Sequence, residues 1–389
     1  MFRRFVNLPV LILTLLVLVM CFGGNIPISV KSQFLAISLL LKDLIIFVLP
    51  ALIFAFVVGG VLSFKDESLK IILIVVPLVC LSNFTGFWVS YAVTAPILKT
   101  GIVAISKFDP QEMLIPAWNL KIVSIISNDK ALIAGVLTGI MGNFLKLDII
   151  RRTSEYMNIA ANCILKKGIC PVLPFFIIGF IMKMQHEGIL GLMIREYSVI
   201  LGFGWLLMYT HMFTVTFLIS GRSFSAVIQK FKNMLPGILV GLCSASSAAA
   251  IPITIKGAEK NLENKNIARF IIPSTANMHL LGDCFAIPMI GLALMASFGY
   301  ELPSVGQYLT FTMYGIIAKF AAAGIPGGSA LVFLPIFENV FGFSAPMLTA
   351  ITAIYVLFDP IATSANVFGH GMFAMLFEKV YNAISVKSS

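Results

Sequence analysis

Four apolar runs, Leu8–Phe22, Leu44–Phe64, Ile71–Leu98 and Tyr197–Ile219, dominate the first part of the chain and are joined by polar segments. Each approaches or exceeds the roughly 20 apolar residues that a spanning helix needs. This part therefore predicts conventional membrane helices. From about Leu235 the pattern changes. Cys243-Ser-Ala-Ser-Ser-Ala-Ala-Ala-Ile-Pro252 is a serine-rich tip between two short apolar arms. Ala323-Gly-Ile-Pro-Gly-Gly-Ser329 sets glycines and a proline where apolar flanks would otherwise carry a helix onward. Such residues cannot continue a helix, and non-helical backbone at membrane depth survives only where protein buries it or it lines a cavity. Both stretches predict re-entrant hairpins, at about 236–266 and 305–343. The helix Ile267–Ser297 carries Pro273-Ser-Thr-Ala-Asn277 and Gly282-Asp283, and the last span carries Asp359-Pro360 and Thr363-Ser364-Ala365-Asn366. Hairpin, broken helix, hairpin, broken helix is the order expected of an internal repeat.

Composition sharpens this into an all-α polytopic membrane protein. The chain is 59% hydrophobic and 11% charged over 389 residues, against roughly 25% charged in a soluble domain. Its net charge of +10 does not imply a nucleic-acid partner. If the spans alternate, most of the Lys and Arg, including Arg3, Arg4, Arg151, Arg152, Lys256 and Lys265, fall on one side. That bias places both termini in the cytoplasm, with the chain in the plasma (inner) membrane. Arg3-Arg4 and the apolar run after it have the look of a secretory signal, but no cleavage site stands out near Cys21–Asn25 and a retained first helix is expected. Gly135-x-x-x-Gly139 and Gly142 give one helix a small-residue face for close packing.

The six cysteines form no CxxC pair and read as small buried hydrophobes. Neither the four histidines nor any other residues show HExxH, GxSxG or Walker spacing, which argues against an enzyme, a resident metal and ATP-driven pumping. No cofactor is expected beyond a transported cation, sodium or proton.

Several segments together carry a family resemblance. Ser246-Ser-Ala-Ala-Ala-Ile-Pro252-Ile-Thr254, Ala323-Gly-Ile-Pro326-Gly327, and Asp359-x-x-x-Thr363-x-x-Asn366-Val367-x-Gly369 resemble the two hairpins and last helix of the dicarboxylate/amino acid:cation symporters. Leu40–Val61 is similar to that family's second span. The resemblance implies a glutamate-transporter-like fold of about eight transmembrane helices plus two hairpins, in a homotrimer. It implies one membrane transport domain over 1–389. The scaffold part would be mainly 1–64 and 131–187, and the mobile part mainly 70–98 and 190–389, moving elevator fashion through the lipid bilayer. The function implied is symport of a small amino acid or dicarboxylate, coupled to cations. A divergent exchanger or an anion-conducting relative without sodium coupling is the alternative.

An amino-acid solute needs donors for its carboxylate and an acceptor for its ammonium. Backbone N–H groups at broken helices supply the first, here at Ser246 and Ser247 on one tip and at Ile325, Gly327 and Ser329 around the other, where Pro326, itself without an N–H, belongs to the site as part of the broken backbone. Asp359 lies in an apolar span, where a carboxylate is costly and usually functional; by resemblance it accepts the ammonium. Thr363 and Asn366 share its helical face, and Asn366 also suits a sodium site through its backbone. Acidic-solute members place an arginine at the position of Ala362, so a neutral solute is at least as well served. The family's cation motif Asn-Met-Asp-Gly-Thr is displaced: it appears as Asn277-Met278-His279-Leu280-Leu281-Gly282-Asp283, while a gapless alignment from Pro273 sets His279 at the asparagine and Leu281 at the aspartate. The aspartate expected after Gly369 is His370. Protons carried by His279, His370 or Asp283 are therefore an alternative to sodium. Lys319 either snorkels to the interface or sets an ammonium where a cation would otherwise bind.

Overall fold

The computed structural model describes residues 8–62, 69–101, 113–122, 126, 128–145, 148–188, 190–320 and 328–386. Among them the chain is helical, without strands. The helices are α1 (Leu8–Phe22), α2 (Ile28–Leu62), α3 (Leu69–Thr100), α4 (Asn128–Phe144), α5 (Asp148–Cys163), α6 (Cys170–His186) and α7 (Leu190–Ile219). They continue with α8 (Phe224–Ser244), α9 (Ser247–Ala258), α10 (Lys265–Thr275), α11 (Leu281–Ser297), α12 (Val305–Lys319), α13 (Gly328–Phe341) and α14 (Ala345–Val386).

The outer faces are apolar: Leu73, Leu206, Phe144 and Trp205 are all exposed. The polar residues Asn83, Ser90, Asp283 and Lys319 are buried instead. That inversion suits hydrocarbon as solvent. Among the described residues α3, α7 and α14 are each long and apolar enough to span alone, and α2, bent ahead of Pro50, makes a fourth. Shorter apolar helical segments add to these in α1, α4, α11 and α13, in keeping with the expected all-α polytopic membrane fold. The cysteines depart from expectation as well. Cys21, Cys163 and Cys243 are exposed, and of those described only Cys284 is buried, because the apolar faces they share turn outward.

One set of contacts holds α2 against α4, α5 and α6. At the α2–α6 crossing a Cβ on Gly179 would stand 2.3 Å from the Phe34 carbonyl oxygen, so only glycine permits this approach. A second set surrounds α14, which packs on α7, α8, α9 and α11, while α3 packs on α11. In α11 every residue from Leu281 to Met295 is buried.

Both hairpins form. In the first, α8 and α9 pack together around a turn in which Ala245 takes φ 48°, ψ 35°. In the second, α12 packs on α13; Phe311 stacks on Phe341 at 4.9 Å and meets Phe337 at 5.1 Å. Ser304 and Gln307 close a capping box at the start of α12, satisfying N–H groups that a helix start leaves free. The first broken helix is present too: α10 stops after Thr275 and α11 restarts at Leu281. The second is not. The last helix runs unbroken from Ala345 to Val386 through Pro360. Proline within a membrane helix removes one N–H, and neighbouring helices and local adjustment tolerate that loss.

Candidate functional site

The break between α10 and α11 aims the first turn of α11 at α14. There the Gly282 N–H donates to Oδ1 of Asn366 at 2.7 Å, which satisfies one of the amide donors left free at a helix start. The fit is close: a Cβ on Gly282 would lie 2.2 Å from the Ala362 carbonyl oxygen. Asp283, next in the chain, is 1% exposed. Its Oδ1 accepts from Tyr355 Oη at 2.9 Å and from Asn366 Nδ2 at 3.0 Å. Its Oδ2 accepts from Ser329 Oγ at 2.5 Å and from the Lys319 ammonium at 3.2 Å.

Lys319 does not snorkel. It is the last residue of α12 and 0% exposed, with its ammonium 5.2 Å from the centre of the Phe333 ring. Ser329, in the first turn of α13, comes to the same carboxylate from the other arm. The second hairpin thus ends on Asp283.

Asp359 sits one helical turn from Tyr355, 4% exposed. Its Oδ1 lies 3.2 Å from Thr363 Oγ1 and 3.4 Å from Tyr355 Oη. Tyr355, Asp359 and Thr363 form one stripe along α14, as i,i+4 spacing requires. The first hairpin reaches the far end of that stripe. A Cβ on Gly241 would lie 2.8 Å from Val367 Cγ2 and 3.3 Å from the Thr363 carbonyl oxygen. Both hairpins pack on α14, the first of them at Thr363 and Val367, one and two turns beyond Asp359.

At the first tip, Ser246 is the N-cap of α9, its hydroxyl accepting from the Ala249 N–H at 3.3 Å, and its own N–H donates to Ser244 Oγ. Ser247 is buried in the first turn. Ile325, Pro326 and Gly327 lie outside the described residues. The Asn366 side chain spends its amide on Gly282 and Asp283.

The displaced cation motif divides in two. Asn277 is exposed, whereas His279 is 0% exposed and shares a hydrogen bond of 2.8 Å with Ser82 Oγ. Met278, Leu280 and Leu281 are buried beside it, so Asn277 alone of this segment faces outward. His370 is buried, and its ring lies 6.4 Å from that of His279. Neither His370 nitrogen has a hydrogen-bond partner among the described residues.

Three participants escaped the sequence reading. Ser82 and Asn83 of α3 stitch the unwound segment in place, the latter donating to the Met278 carbonyl oxygen at 2.8 Å. Tyr355 links both carboxylates. Adjacent polar residues inside an apolar span were the available signal for the first two. For Tyr355 it was a hydroxyl four residues ahead of Asp359.

Residues 8–380 match the family described as the sodium:dicarboxylate symporter family. Human excitatory amino acid transporter 1 is 26% identical over 205 residues, 52% of this chain and 37% of that protein. Mouse excitatory amino acid transporter 3 is 31% identical over 161 residues, covering 40% and 30%. Human excitatory amino acid transporter 5 is 28% identical over 201 residues, covering 51% and 35%. The matched segment spans about a third of the length of these relatives.

Proposed function

The chain belongs to the sodium:dicarboxylate symporter family, and on that premise we propose that it is a secondary active carrier of a small amino acid with an uncharged side chain. The carrying observation is Asp359, buried beside the hydroxyls of Tyr355 and Thr363 on the helix against which both hairpins pack. A carboxylate at membrane depth is a suitable acceptor for a solute ammonium. Asp283 is already committed to Lys319, so the recognition role falls to Asp359. The solute carboxylate is received by N–H groups at the start of α9, where the helix dipole favours an anion. Position 362 holds alanine, 0% exposed, so the bidentate arginine that would grip a second carboxylate is missing there.

In this reading the two hairpins and α14 travel together, elevator fashion, against a scaffold built on α2, α4 and α6. The carrier works as a homotrimer in the plasma membrane, with cytoplasmic termini. Its driving ion is a cation. In this reading His279 and His370, buried together with ring centres 6.4 Å apart, are the groups that would carry a coupled proton.

Reconstituted protein should accumulate a labelled neutral amino acid against its gradient when an ion gradient is imposed. Mere equilibration would replace the carrier with a channel. Uptake driven by a pH gradient in sodium-free buffer supports protons, and strict sodium dependence rules them out as the driving ion.

A further inference from the structure

The Lys319–Asp283 pair is unusual in where each charge comes from. Asp283 lies in the first turn of α11 and Lys319 in the last turn of α12. The positive end of one helix dipole thus supports the carboxylate and the negative end of another supports the ammonium. The pair is out of contact with solvent, 0% and 1% exposed. A carboxylate offers about four acceptor positions, and four donors hold this one: Lys319, Ser329, Tyr355 and Asn366. An incoming cation could ligate Asp283 only by displacing one of them.

A buried carboxylate between the moving arms of a carrier is where an imported cation would be bound and released. Here the positive charge is part of the chain. We infer that the Lys319 ammonium is a tethered cation, permanently occupying a site that would otherwise take one transported ion. It is delivered by the second hairpin itself, because Lys319 ends one arm and Ser329 begins the other. This rests on reading the chain as a cation-coupled carrier, and its consequence is a coupling stoichiometry lower by one ion.

The test uses full-length purified protein in detergent, without solute. The unfolding midpoint is followed as sodium chloride replaces choline chloride at constant ionic strength. The slope against the logarithm of sodium concentration counts ions bound to the native state, by linkage. Lys319→Met keeps the apolar stem and removes the charge; its slope should exceed that of the wild type by one sodium ion. The double variant Lys319→Met/Asp283→Asn, a neutral pair of similar volume, should return to the wild-type slope. Equal slopes in wild type and Lys319→Met overturn the inference. So does a double variant with a slope below the wild type, which would place a sodium ion on Asp283 in the native chain. If Lys319→Met folds only in sodium, that is the expected result in its strongest form. If it folds in neither salt, the double variant decides, since neutral replacement of both members of a buried pair is usually tolerated. Because the slopes need no transport, absent uptake with the expected slopes removes the carrier reading alone. Active uptake with equal slopes removes the tethered cation alone.

Discussion

Asp283 and Asp359 share one hydroxyl. Tyr355 Oη stands 2.9 Å from Oδ1 of the first and 3.4 Å from Oδ1 of the second. A phenol has a single proton to give, so it donates fully to one carboxylate at a time, and the shorter distance assigns it to Asp283. The charge-balanced pair at Asp283 and the proposed recognition carboxylate at Asp359 are therefore linked through a single atom.

Tyr355→Phe should deprive Asp283 of a donor, and Asp359 of the only route to that proton, without changing packing. Leaving a buried acceptor short of a donor costs about 1–3 kcal/mol, so thermal unfolding in detergent should occur at a lower temperature. The stabilisation conferred by a bound neutral amino acid should shrink as well. An unchanged midpoint and an unchanged solute response together would show that the shared hydroxyl is dispensable.

Asp359→Asn should weaken amine-bearing solutes selectively. A hydrogen bond to a charged group contributes about 1.5–3 kcal/mol, which corresponds to a loss of roughly tenfold or more in affinity. Titration calorimetry with an amino acid and with its deaminated analogue separates the cases: only the amine-bearing member should lose affinity. Equal affinity of wild type and variant for the amino acid would take Asp359 out of the site.

Two glycines separate stability from recognition. A Cβ on Gly282 would stand 2.2 Å from the Ala362 carbonyl oxygen, and a Cβ on Gly179 2.3 Å from the Phe34 carbonyl oxygen. Both blocking atoms are backbone, so a helix must move. Overpacking of this kind costs about 1–3 kcal/mol, and Gly282→Ala and Gly179→Ala should lower the unfolding temperature alike. Only Gly282→Ala shifts the α11 turn that carries Asp283, so only it should reduce solute affinity. A matching affinity loss in Gly179→Ala would contradict the assignment of the site to α11 and α14.

The hairpins were legible because glycine, proline and clustered serine break an apolar run in a way composition alone exposes. The α10–α11 break was legible for the same reason, with Pro273 and Gly282 marking its edges. The fate of Pro360 was not, since a proline permits either a kink or an uninterrupted membrane helix, and packing against α8, α9 and α11 decides. Asp359 announced itself by being charged in an apolar span. The partnership of Lys319 with Asp283 could not be read, because it joins the end of α12 to the start of α11 and depends on how two helices are set side by side. The same holds for Ser82 and Asn83, whose partners His279 and Met278 lie in a distant segment.

Ala245 offers a test of strain at the first hairpin tip. It takes φ 48°, ψ 35° between Ser244 and Ser246 and is buried. An L-residue in the left-handed region loses about 1–2 kcal/mol to contact between Cβ and the following carbonyl oxygen. Glycine lacks that Cβ, although it also gives the unfolded chain more freedom, worth about 0.4–1 kcal/mol. Ala245→Gly should therefore raise stability by a net of up to about 1 kcal/mol, seen as a higher unfolding midpoint. Ala245→Val, β-branched and poorly suited to positive φ, should lower it. The Ala245 N–H donates to the Gly241 carbonyl oxygen at 2.9 Å, and both substitutions keep that bond; the glycine variant, which adds no volume, reads the left-handed backbone, while valine adds overpacking of a buried position to the strain. A valine variant as stable as the glycine variant would mean that the tip is not held in this conformation.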